Sequence, residues 1–258
     1  MNEEKKEEEK EKGKINSWHN PYAVGCLVIF VLFIIIVGVA YKHDQKKKEA
    51  EAQLAREAAA AKEEVRKAEE ARKVAAVQRG SFTDARDKKA YKTVKIGDQI
   101  WMAENLNYNA SGSKCYDNKP DNCVKYGRLY NWNTAIKACP KGWHLPSAEE
   151  WQILVNFVGE TAGKKLKATS GYNADEGKSG NGTDNYGFSA LPGGQSGSDG
   201  KFLGVGRMGT WWTASECGND WGTEKAVCNR GMGYRTDDVQ LYLGGSKRLL
   251  FSVRCLQD

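Results

Sequence analysis

The stretch Ala138-Cys-Pro-Lys-Gly-Trp-His-Leu-Pro-Ser-Ala-Glu-Glu-Trp151 decides the fold class of this chain. Cys139-Pro140 stops a helix arriving from Tyr130, because proline lacks the amide donor a helix interior needs and biases the preceding residue toward extended backbone. Ser147-Ala-Glu-Glu150 is a capping box, in which serine and glutamate each satisfy an amide at the start of a helix, and it predicts a second helix running to about Val158. Trp151, Leu154, Val155 and Val158 then share one face, which is a core face. Upstream, Thr93 to Met102 alternates around Gly97-Asp98, a two-residue turn signal that predicts paired strands over 93–96 and 99–102. Downstream, the glycine content rises, and apolar runs at 187–191, 210–214, 239–243 and 249–255 predict short strands between long loops. A hairpin, two helices and then irregular strands make an α+β arrangement.

Composition confines this domain to the last two thirds of the 258 residues. Of 28 glycines and 8 tryptophans, all but four glycines and Trp18 lie after residue 90. Residues 91–258 suffice for one domain that buries roughly 70% of its unfolded surface. The net charge of +6 is spread over blocks in which both signs interleave. Such a distribution offers no basic stripe for a run of phosphates, which argues against nucleic acid as a partner. With 3 histidines in the whole chain, a site built on several imidazoles is excluded as well.

Ahead of the domain, residues 23–41 read AVGCLVIFVLFIIIVGVAY, an uncharged run long enough to cross the hydrocarbon layer as a helix. Trp18, Tyr22 and Tyr41 stand where aromatic rings favour the interface. A cleaved signal peptide ending at Gly38-Val39-Ala40 is the competing reading, but the run is longer than a signal core and its leading arm is mixed in sign. Residues 44–78 contain no glycine or proline and are mostly Ala, Glu, Lys and Arg, so they form a long exposed helix with Glu63–Lys67 and Glu69–Lys73 in the favoured order. The spacing of Leu54, Ala58, Ala61, Val65, Ala68, Arg72 and Ala75 leaves open both a self-associating coiled coil and a monomeric stalk. The expected organisation is a charged cytoplasmic tail (1–20), a transmembrane helix (21–41), a stalk (42–79), a polar linker (80–90) and the domain (91–258). Lysines on the two sides of the span balance, so orientation rests on the cysteines. Six of the 7 lie in the domain without a CxxC pair, which favours disulfides and an oxidising compartment over zinc. The domain is therefore expected outside the cytoplasm, on the periplasmic side of an inner membrane.

Several motifs carry a resemblance. Tyr126-Gly-Arg-Leu-Tyr-Asn-Trp132, Gly142-Trp-His-Leu-Pro-Ser147 with Glu150-Trp151, Gly187-Phe-Ser-Ala-Leu-Pro-Gly-Gly194, Trp211-Trp-Thr-Ala-Ser215 and Phe251-Ser-Val-Arg-Cys255 resemble the Fibrobacter succinogenes major paralogous domain in the same order. Some of these stretches are also similar to formylglycine-generating enzymes, which implies a C-type-lectin-like fold with its two ends brought together. Cys115 with Cys123 and Cys217 with Cys228 each close a local loop, leaving Cys139 and Cys255. That last pair agrees with the helix-to-final-strand bridge of lectin-like folds, although spacing alone leaves other connectivities open.

For function, the resemblance implies no established activity. Formylglycine-generating enzymes hold copper on a cysteine pair, but Cys217 and Cys228 are spaced differently, and no metal ligand set is expected. His144 reads as a packed residue beside Trp143. Lectin calcium triplets are missing, and the Asp/Asn-rich stretch 175–185 leaves calcium as the one cofactor to consider. Among the aromatics, Trp211 and Trp212 point to opposite faces of a strand, so at least one is core. Trp221, with Asn219, Asp220 and Tyr234, is the expected ligand contact. The expectation is a non-catalytic binding or adhesion module for polysaccharide or envelope protein, with a formylglycine-generating-like oxidase and a structural envelope spacer as competing readings.

Overall fold

The computed structural model describes residues 21–217 and 226–258, and the chain divides after Glu69 into a helical unit and a second unit. One helix runs from Pro21 to Ala75. Its first part is apolar on every side, with Leu27, Phe30 and Ile36 all exposed, and among the described residues it is the one helix long and apolar enough to cross a membrane. An all-round apolar surface without a protein partner is what lipid, not a core, accommodates. The helix continues unbroken into the charged stretch, where Lys48 pairs with Asp44 at 2.7 Å and Glu63 with Lys67 at 3.6 Å.

Within the second unit, the last turns of this helix belong to the domain. Val74 and Val77 pack against the core, Glu70 pairs with Lys165 at 2.9 Å, and the Lys73 ammonium lies 5.4 Å from the Phe157 ring centre. The helix stops at Ala75, and the expected linker is corrected to a strand: Gln78–Thr83 pairs antiparallel with Ala90–Ile96, from Gln78 opposite Lys95 to Thr83 opposite Ala90. A tight turn joins them, in which Asp84 is buried, accepts from the Arg86 amide at 3.0 Å and binds the Arg86 guanidinium. The strand looks polar because Phe82 is its single apolar side chain, stacked on Trp143 with ring centres 4.4 Å apart.

Gln99–Met102 follows in the same sheet through the expected turn, with Gly97 at φ 61. Leu256–Gln257 pairs with Gln99–Met102 on one side and with Trp143–His144 on the other, so both ends of the domain meet in one five-stranded sheet. A second sheet of eight strands is centred on Met208–Cys217, which pairs with Ala226–Gly233 and with single residues of Gly193–Ser196 and Phe251–Ser252.

Two expected strands differ. Residues 187–191 form a loop, bent by positive φ at Gly187 and at the non-glycine Ser189. The run 249–255 is split, with Phe251–Ser252 in one sheet and the chain crossing through Val253, Arg254 and Cys255 to the other. The helix Trp132–Ala138 is capped by Asn131, which accepts from the Thr134 amide at 3.0 Å, and Ala148–Val158 by the Ser147–Glu150 box. Two short helices, Pro120–Tyr126 and Ala162–Leu166, have no counterpart in the hydrophobic pattern.

Trp151 is fully buried between Trp101 and Phe188, with ring centres 4.9 and 5.7 Å away. Trp211 and Trp212 do point to opposite faces, and both faces are covered. Trp211 packs in the Trp151 cluster, whereas Trp212 lies against Phe251 with ring centres 4.2 Å apart and planes tilted by 38°, and donates to the Tyr130 carbonyl at 2.6 Å. Three disulfides join Cys115 to Cys123, Cys139 to Cys255 and Cys217 to Cys228.

Candidate ligand groove

The crossing at Val253-Arg254-Cys255 organises the interior. Arg254 is fully buried, and burial pulls its pKa down to about 9, so the guanidinium stays charged at neutral pH. Its hydrogen bonds go to uncharged oxygens. Nε and Nη2 donate to Asn105 Oδ1 at 3.1 and 2.8 Å, Nη1 to the Met102 carbonyl at 3.2 Å and to the Phe188 carbonyl, and Nη2 to the Ser189 carbonyl at 3.4 Å. Asn105 in turn accepts from Trp211 Nε1 at 2.8 Å and donates to the Tyr126 carbonyl at 2.8 Å. The positive φ values in the 187–191 loop thus have a role: they turn the carbonyls of Phe188 and Ser189 toward the buried cation.

Above this network lies an open groove of about 710 Å³, within the range of small-ligand sites. One wall is the strand pair Gln78–Thr83 and Ala90–Ile96, another is the end of the helix Pro120–Tyr126, and the 184–191 loop contributes Asp184 and Ser189. Cys115–Cys123 ties that helix to the preceding turn. Gly127 (φ 76) lies so close to Asn105 that a Cβ would stand 2.7 Å from the Asn105 Cβ, which lets the chain leave the helix directly over the floor.

The lining is mixed in charge. Arg79, Lys89, Lys92 and Lys125 supply four cations against the carboxylates of Glu104 and Asp184. Lys89 is committed to the Asn107 carbonyl at 2.6 Å, and Glu104 accepts from the Lys92 amide at 2.8 Å. Asp184 accepts from the Ser189 amide at 2.7 Å and from its hydroxyl; burial pushes its carboxyl pKa up, outweighing these bonds. Tyr91, pushed up to about 12 by burial, stays neutral and accepts from the Asn107 amide at 3.1 Å.

Trp221, Asn219 and Asp220 fall in 218–225, outside the described residues. Tyr234 is half-buried between the guanidinium groups of Arg207 and Arg235, 5.6 and 5.1 Å from its ring centre, and does not line the groove. In the stretch 175–185, Asp175 pairs with Arg235 at 2.8 Å and Asp184 with Ser189, and among the described residues no group of three or more His, Cys, Asp or Glu side chains is placed to hold a metal ion.

His144 is held more firmly than a packed residue needs to be. Nδ1 lies 2.7 Å from Asp258 Oδ1 and Nε2 lies 2.9 Å from Glu150 Oε1, and donating to both carboxylates at once requires the imidazolium. Burial opposes that charge, and the Asp258 and Glu150 hydrogen bonds together outweigh it, so the pKa is raised. A raised folded-state pKa stabilises most below the unfolded value of roughly 6.5, and the contribution disappears as pH rises through the folded value. The expected result is that His144→Gln lowers the melting temperature at about pH 6 and by progressively less toward about pH 8.5. An equal deficit at both ends would show that the pair of carboxylates does not hold a charged ring.

The family model described as the Fibrobacter succinogenes major domain matches residues 94–257. No curated protein and no solved structure matches the chain.

Proposed function

This chain belongs to the Fibrobacter succinogenes major domain family, and on that premise we propose that it is a single-pass, membrane-anchored extracytoplasmic module that binds polysaccharide or envelope protein. The observation that carries the reading is the groove: an open cleft lined by charged and apolar residues together, one wall of which is tied by a disulfide and whose floor is a hydrogen-bonded core. Contacts carried on a rigid scaffold suit recognition. The apolar helix supplies the anchor, and three disulfides favour an oxidising compartment. On this reading the N-terminus is cytoplasmic, the membrane is the inner one, and the charged helix is a stalk open to self-association. A lectin-like fold is supported by the bridge from the end of the helix Trp132–Ala138 to Cys255 and by the meeting of both domain ends in one sheet.

The oxidase reading needs two thiols for copper, and Cys217 and Cys228 are joined to each other, which favours binding. Two measurements test the proposal. In spheroplasts, added protease should digest residues 42–258 and spare 1–20; protection of the C-terminal part would place the domain on the wrong side. The full-length protein in detergent should be retained on envelope glycans or protein, with and without calcium. Free Cys217 and Cys228 that bind one copper per domain and support oxygen-dependent oxidation of a peptide cysteine would instead favour the oxidase.

A further inference from the structure

We propose that the groove takes an acidic oligosaccharide, one carrying carboxylate or phosphate groups along a polyhydroxylated chain, with Arg79, Lys92 and Lys125 as its anion-binding side chains. This rests on the binding reading above and adds the chemical class of the ligand.

Ser81 is opposite Lys92 in the register, and side chains two apart on a strand share a face, so Arg79 and Lys92 are diagonal neighbours on one face of the strand pair. Lys125 reaches the same groove from the helix Pro120–Tyr126, a different element, with its ammonium 4.9 Å from the Tyr126 ring centre. Like charges on one face of a strand pair raise the local positive potential, which Asp184 beside Arg79 offsets only in part and which favours an added anion. Arg79 also lies against Gly187, where an added Cβ would stand 3.2 Å from its Nε, so the guanidinium is laid along the loop that forms the groove's floor.

Charge below the surface adds to this. The Arg254 guanidinium makes its hydrogen bonds only to neutral oxygens, so its positive charge is offset at a distance by Asp184 and Glu104 and not by a bonded carboxylate. A low-dielectric floor lets that field reach a ligand more strongly than water would.

The acceptors decide between a sugar and a peptide. Glu104 and Asp184 present carboxylate oxygens to the same groove, alongside the Asn107 and Ser189 side chains. Sugar hydroxyls can donate to carboxylates while the sugar's own acid groups meet the cations. An acidic peptide has only its backbone amides to donate to Glu104 and Asp184, whereas each sugar unit brings several hydroxyls. The groove's volume suits a short oligosaccharide segment.

The experiment uses the full-length protein in nonionic detergent, with tetragalacturonate as the carboxylate probe, a phosphorylated mannan oligosaccharide as the phosphate probe, a neutral galactan tetramer and tetraglutamate. At least one acidic glycan should bind, more weakly as salt rises from roughly 0.05 to 0.3 M. The Arg79→Gln, Lys92→Gln, Lys125→Gln triple variant should lose on the order of a hundredfold in affinity, with single variants losing roughly three- to tenfold each. Lys201→Gln, at an exposed lysine outside the groove, should bind as the parent does. Because all three groove cations are at the surface, an unchanged melting temperature verifies that the variants fold. Equal binding of the neutral tetramer or of tetraglutamate, or full affinity in the triple variant, overturns the proposal. If the neutral glycan alone binds, the acidic-ligand proposal falls and the binding module stands; if neither glycans nor envelope protein bind, both fall.

Discussion

Arg254→Met should destabilise the domain by about 3 kcal/mol or more, measured by urea unfolding of the oxidised protein followed through tryptophan fluorescence. Two effects oppose each other. Methionine removes a fully desolvated charge, and replacing buried ions by apolar groups of similar volume gains about 1–4 kcal/mol in favourable cases. Against that, the carbonyls of Met102, Phe188 and Ser189 and part of the demand on Asn105 Oδ1 are left without their donor. Each buried acceptor left unsatisfied costs about 1–3 kcal/mol, so several orphans outweigh the charge that has been removed. Asn105→Leu should also be severe, since it leaves the guanidinium without its double acceptor and Trp211 Nε1 without a partner. The double variant should cost clearly less than the sum of the two, because both act on one network. A cost under about 1 kcal/mol for Arg254→Met, or strict additivity, would mean that this network does not hold the crossing between the sheets.

The same network explains what the sequence made legible and what it did not. Local signals read well where a few neighbouring residues satisfy one another. Ser147 with Glu150 makes its capping box within a single turn, and Gly97 supplies the positive φ its hairpin needs. Residues 187–191 misled because their apolar content is that of a strand, while their backbone is bent to serve an arginine more than sixty residues away in sequence. The strand Gln78–Thr83 was hidden for the opposite reason: one phenylalanine anchors it, and the rest of its side chains face solvent. Trp212 shows the limit of alternation, which assigns faces but does not tell whether a second layer covers the outer one.

The groove was the least legible feature. Arg79, Lys92 and Lys125 belong to a polar strand, an exposed position of the hairpin sheet and an unpredicted helix, and nothing in their sequence neighbourhoods links them. One clue was available. Arg254 stands in the apolar run Phe251 to Leu256, and an arginine there has to be either at the surface or paired inside. Taken as buried, it demands acceptors from elsewhere in the chain, and Asn105 beside the hairpin is where they are found.

Replacing both Cys139 and Cys255 by alanine should cost about 4–5 kcal/mol in the chain-entropy model, more than any other bridge in the domain. The two residues are 116 apart in sequence, whereas Cys115 and Cys123 are 8 apart and Cys217 and Cys228 are 11 apart. A cross-link removes more freedom from the unfolded chain the longer the loop it closes, so the same double substitution at Cys115 and Cys123 should cost about 2–3 kcal/mol. Alanine is the better probe than serine, because Cys255 is fully buried and a hydroxyl there would need a partner. Position adds to entropy. Cys139 is the residue that ends the helix Trp132–Ala138, and Cys255 lies between Arg254 and the strand Leu256–Gln257, so the bridge fastens the helix layer to the point where the chain passes between the two sheets. Set against a typical domain stability of about 5–15 kcal/mol, a loss of this size leaves little margin. The double variant should therefore fold poorly wherever it is made, and the parent should fold well only where its thiols are oxidised. Equal urea midpoints for parent and variant, or a parent as stable in reductant as without it, would remove the long bridge as a support of the fold and with it the chemical argument for an extracytoplasmic domain.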